Sequence, residues 1–147
     1  MFNPRHIRFA VGVLLAGQGT AFADSWFSIT GDPLDPAVET VQVAPDTVVV
    51  FGDMRVMKIR TNRAAVRKGF DGLPFRSYES SVQIDCTTRE ANFRRLELFD
   101  DALWRGAGRV LDFANAAMPR MLFQDMRPNP VERIVQAACD VGKVQNR

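Results

Sequence analysis

The chain has 147 residues, 46% of them hydrophobic, with 19 Lys and Arg against 17 Asp and Glu and a single histidine, His6. Charge this close to balance argues against a nucleic-acid partner, whose usual footprint is a strongly basic face. His6 lies in a segment expected to be removed, so the mature chain has neither Ser-His-Asp nor Cys-His catalysis, nor the commonest ligand for zinc, copper or non-haem iron.

The N-terminus, "MFNPRHIRFAVGVLLAGQGTAFADSW", combines a basic start (Arg5, His6, Arg8), an apolar run over 9–17 and Ala21-Phe22-Ala23 ahead of Asp24. This is the layout of a secretory signal over residues 1–23, cut between Ala23 and Asp24. The apolar run is about half of the roughly 20 residues a bilayer span requires, so the mature form is expected to have no membrane span. No cysteine lies near the cut to carry a lipid anchor, so the expected product is not a lipoprotein. It is an exported bacterial protein, periplasmic by expectation, with the cell surface or medium as alternatives. Losing Arg5 and Arg8 leaves 17 basic and 17 acidic residues on one domain spanning 24–147.

"SWFSIT" reads as the opening strand, stopped by "GDPLDP". "VETVQVAPD" is a strand expected to end at Pro45-Asp46, and "TVVVFGDMRVMKIRTN" is a hairpin turning at Gly52-Asp53. Residues 63–75, with two glycines and a proline, read as a loop. In "SYESSVQIDC", Tyr78, Ser80, Val82, Ile84 and Cys86 alternate with polar neighbours, the pattern of a half-buried strand. "ANFRRLELFD" and "GRVLDFANA" are two further strands around a turn over 100–106 that Asp100-Asp101 punctuates, and "MPRMLFQDMRPN" connects to a terminal helix. That helix has Asn129 as expected N-cap, Pro130 at its first position, Glu132 in a capping-box position, and Val131, Ile134, Val135, Ala138 and Cys139 on one face. The expected class is α+β, a mainly antiparallel sheet with a C-terminal helix packed on one face and one disulfide.

The cysteines, Cys86 and Cys139, have no metal-ligand spacing and no C-x-x-C motif. In an oxidising compartment they point to one structural disulfide, with two buried thiols or a bridge between chains as alternatives. A bridge would staple the helix's last turn onto the sheet. Arg63, Arg67 and Lys68 are candidate contacts for an acidic partner, against the ordinary alternative of solvated loop charges. Met118, Met121 and Met126 suit gap-filling in a core better than a soft Cu(I) site, so no metal or cofactor is expected. Trp26, Trp104 and Phe51 are expected in the core, and Arg94-Arg95 beside Glu97 on a solvent face.

The succession "DTVVVFGDMRVMKIRTN", "YESSVQIDCTTR", further strands and a proline-bounded helix ending in Cys139 resembles the surface-adhesin protein E family over residues 25–140. The most specific part is the serine-bearing strand running into Asp85-Cys86, with Arg89 just after it; Trp26 also fits. The resemblance implies a sheet-and-helix domain with Cys86 bonded to Cys139. For the adhesin that names the family, it also implies binding of host extracellular-matrix and plasma proteins such as vitronectin and laminin.

Two functions follow as expectations. The first is a non-enzymatic binding module for a protein partner, an envelope or host matrix protein, meeting it through a sheet face, a strand edge or the 63–75 segment. The alternative is a histidine-free periplasmic enzyme or small-ligand carrier, whose acids, such as Asp85, Glu97 or Asp112, would converge with arginines in a pocket.

Overall fold

In the computed structural model, which describes residues 23–143, six strands pair in chain order as one antiparallel sheet. They are β1 (Phe27–Thr30), β2 (Thr40–Phe51), β3 (Met54–Lys68), β4 (Pro74–Asp85), β5 (Glu90–Phe99) and β6 (Gly108–Asp112), followed by the helix α1 (Val131–Cys139). The segment before Ala23, with most of the expected signal, lies outside the described residues.

From Tyr78 on, the alternation in β4 is realised as read, with Tyr78, Ser80, Val82 and Ile84 buried and Glu79, Ser81, Gln83 and Asp85 less so; Ser77, expected on the polar face, is instead buried. Val41 and Val43 of β2, Met57 and Ile59 of β3, and Leu96 and Leu98 of β5 join them on one face. Across β2 to β5 on that face lies α1, burying Ile134, Val135, Ala138 and Cys139. Each fully buried aliphatic side chain there contributes about 1.5–3 kcal/mol. Cys86 and Cys139 form a disulfide with Cα atoms 5.8 Å apart, joining the end of β4 to the end of α1. Arg55 adds a polar tie, its Nε donating to the Val141 carbonyl at 3.2 Å and its Nη1 to the Gly52 carbonyl at 2.8 Å.

Three boundaries differ from expectation. First, β2 does not stop at Pro45-Asp46 but runs to Phe51, because its register with β3 shifts between Ala44 and Val49 and places the proline where no ladder N–H is needed. There Thr47 Oγ1 takes the ladder's role, donating to the Ala44 carbonyl at 2.6 Å and accepting the Lys58 N–H at 3.0 Å. Second, residues 63–75 are not one loop: β3 continues to Lys68, bulged so that Arg67 faces Phe75 and Lys68 faces Pro74, and only 69–73 turn. Third, α1 begins one residue late, with Pro130 as N-cap. Asn129 Oδ1 still accepts the Val131 N–H at 2.9 Å, while Glu132 pairs with Arg89 rather than closing a capping box.

The β2–β3 turn sits at Gly52-Asp53 as expected, with positive φ on Gly52. At Gly31, φ is +81° and an added Cβ would lie 2.2 Å from the Glu39 carbonyl oxygen, so only glycine fits the approach of β1 to β2. Met121 and Met126 are core residues, consistent with gap-filling.

Candidate functional site

The helix leaves part of the core face uncovered, and there the connection between β6 and α1 folds back over β5, bridging Asn92 to Arg120. Between it and the β3–β4 turn opens a cleft of about 320 Å³. Tyr78, Leu96 and Leu98 line it from the sheet. Around them the aromatic rings meet edge-on or tilted: Phe75 to Tyr78 at 5.8 Å, Tyr78 to Phe93 at 5.9 Å and Phe70 to Phe93 at 6.0 Å between centroids. The opposing wall carries Leu122 and Phe123.

Both walls are held by polar contacts. Arg109 of β6 clamps the 69–73 turn, with Nε 2.6 Å from Asp71 Oδ2 and the guanidinium also donating to the carbonyls of Leu73 and Pro74 at 3.0 and 2.9 Å. This contact brings the Asp71 carboxyl down to about 2. On the other wall Phe123 has φ +45°, uncommon for a non-glycine residue, and Asn129 Nδ2 donates to the carbonyls of Leu122 and Phe123 at 2.8 and 3.1 Å.

The mouth is charged. Arg63, only 6% exposed, contacts Asp125 and lies 2.8 Å from Glu39; Arg67 reaches the same two carboxylates at 2.9 and 3.7 Å. Burial alone would raise the Asp125 carboxyl, but the attraction of Arg63 and Arg67 outweighs it and holds the group below its ordinary range. Arg120 pairs with Glu90 at 3.1 Å. Lys68, exposed at the rim, has no carboxylate partner among the described residues. The three cations singled out in the sequence thus do meet, but two are tied to acids.

A family model described as Surface-adhesin protein E matches residues 26–140. The chain belongs to the surface-adhesin protein E family. No curated protein and no solved structure matches it significantly. Family membership makes this an adhesin-like exported or surface protein. The matched span runs from Trp26 to just past Cys139, so it takes in every strand, the cleft and the disulfide.

On the opposite face of this adhesin E domain lies a feature the sequence reading missed. Arg60 sits between two indoles, its guanidinium carbon 4.5 Å from the Trp26 centroid and 4.0 Å from that of Trp104, with Nε donating to Gln42 Oε1 at 2.7 Å. Trp26 and Trp104 are therefore half-buried flanks of an arginine rather than core residues, and Phe51 is exposed at the β2–β3 turn. Sequence spacing could not reveal this, since the three residues come from the N-terminal segment, β3 and the β5–β6 turn.

The candidate acids do not converge. Asp85 Oδ1 accepts the N–H groups of Thr87 and Thr88, Asp112 Oδ1 accepts that of Ala114, and Glu97 lies on the outer face near Arg95. Arg94 and Arg95 occupy a bulge of β5 opposite Ser81 and Val82, which puts Arg95 in solvent. Among the described residues no helix is long and apolar enough to cross a membrane.

Proposed function

We propose that the domain is an exported, non-enzymatic binding module that recognises a protein partner, an envelope or host matrix protein, through the β3–β4 hairpin. One observation carries the reading: the hairpin end presents Val66, Phe70 and Leu73 at 61, 59 and 53% exposure around the free charge of Lys68. A cluster of large apolar side chains rimmed by polar groups is the usual mark of an interaction surface. Family membership supports the same reading, as does the rigidity the Arg109 clamp gives the turn, since a preorganised loop loses little entropy on binding. Export through residues 1–23 and residence in the periplasm are parts of this proposal.

The enzyme reading has less support. Asp125, the carboxylate among the residues lining the cleft, is neutralised by two arginines and so is poorly placed as a general acid or base.

Photo-crosslinking in the native cells, after separating periplasm from membranes, tests the proposal. A crosslinker at Leu73 should capture a defined protein that one at Arg133, exposed on α1, does not, and Phe70→Asp with Leu73→Asp should abolish the capture. Equal capture from both positions, or capture that survives the double substitution, would refute the hairpin as the contact.

A further inference from the structure

The cleft beside the hairpin has features that a flat protein contact does not need. It is concave, within the roughly 300–1,000 Å³ range of small-ligand sites, and its floor is built from Tyr78, Phe93, Leu96 and Leu98. Its walls are fixed before any ligand arrives, one by Arg109 on Asp71 and the other by Asn129 on the backbone of Leu122 and Phe123. The floor is nearly closed to solvent, and it is Phe70 and Leu122, 59 and 43% exposed, that keep hydrocarbon surface in contact with water, which an apolar ligand would relieve.

The charges at the mouth select the ligand's head. Arg63, Arg67 and Arg120 are matched by Glu39, Asp125 and Glu90, and Lys68 is left over as one unbalanced cation at the rim. A cationic head would meet this surplus positive charge, and no free carboxylate at the rim would receive it. A single anionic head would complete the balance.

We propose that the cleft is a binding site for an amphiphilic monoanion, an apolar body of acyl-chain type bearing one carboxylate at the level of Lys68. The body lies against Tyr78, Leu96 and Leu98, and the head meets the Lys68 ammonium. This site shares Lys68 and Phe70 with the protein contact proposed for the hairpin end, whereas Val66 and Leu73 of that contact lie outside the cleft lining.

Tyr78 is the chain's single tyrosine, so its ring gives one unambiguous set of NMR signals from inside the cleft. The test titrates the exported protein with decanoate, decylammonium and 1-decanol while following those signals. Decanoate should shift them saturably, with decylammonium at least tenfold weaker. Lys68→Glu, an exposed change that should leave the melting temperature alone, should weaken decanoate roughly fivefold or more without weakening 1-decanol. Three results would overturn the proposal: Tyr78 signals that stay still in millimolar decanoate, decylammonium binding as well as decanoate, or Lys68→Glu leaving decanoate affinity intact. Loss of the protein partner with decanoate binding retained would remove the hairpin contact and leave this site standing.

Discussion

The Arg60 guanidinium stacks 4.0 Å from the Trp104 ring centroid, and the same group also faces Trp26, so one side chain joins the N-terminal segment to the β5–β6 turn across the outer face. Burial lowers the Arg60 pKa, partly opposed by Glu79, yet the side chain stays a cation under all ordinary conditions. Each such contact contributes about 0.5–2 kcal/mol, depending on how dry it is. Arg60→Leu should therefore cost about 1–3 kcal/mol and redshift the tryptophan emission as both indoles gain water. Arg60→Lys should recover only part of this, because the compact ammonium cannot stack with two rings. Denaturant titration read by fluorescence checks both.

Leu103 and Trp104 have φ of 55° and 61°, a pair of left-handed non-glycine residues in sequence. Their N–H groups are received by buried side chains, Leu103 by Asn62 Oδ1 and Trp104 by Ser77 Oγ, both at 2.8 Å. Asn62 also donates to the carbonyls of Pro36 and Val38 at 3.2 and 2.9 Å. Asn62→Ala removes three hydrogen bonds and leaves groups unpaired, at a cost of about 2–4 kcal/mol. Hydrogen exchange at Leu103 and Trp104 should accelerate more than in the strands; uniform acceleration would mean the network is not local.

The Cys86–Cys139 bridge spans 53 residues. The chain-entropy model assigns about 4 kcal/mol to closing such a loop. Replacing both cysteines by Ala should lower the melting temperature by ten degrees or more, and reductant should do the same to the native protein. An unchanged transition would show that Ile134, Val135 and Ala138 hold the helix without covalent help.

The Asp71 and Asp125 carboxyls are both depressed by arginines, Asp71 to about 2 through Arg109. A carboxyl with a depressed folded pKa stabilises the fold above its unfolded pKa, near 4, and that contribution disappears as pH falls through the folded value. Stability should hold steady above about pH 5 and decline from there toward pH 2. Asp71→Asn and Asp125→Asn should each flatten the decline, as seen in thermal melts across that range. At the alkaline end, burial pushes the Tyr78 phenol up to about 12, so stability is lost as pH rises above its unfolded value near 10. Absorbance of this single phenol should show little ionisation at pH 10.5 in the folded protein.

What the sequence determined by itself was local. The alternation from Tyr78 to Cys86 and the 3.6-residue spacing of Ile134, Val135, Ala138 and Cys139 were legible, because a strand or helix with one covered face repeats its burial at a fixed period. The disulfide was legible from two cysteines with neither metal-ligand nor C-x-x-C spacing, read together with an expected export signal. Tertiary structure decided the rest. Arg63 looked like a free loop charge until β3 carried it beside Glu39 and Asp125, the latter 62 residues along the chain. Trp26 and Trp104 became flanks of Arg60 only when the meander put their segments on one face. The cleft exists because the helix is too short to cover the core face and the 113–126 connection covers only part of what remains. Such relations depend on which distant segments meet, and no periodicity in one segment records who its neighbours will be.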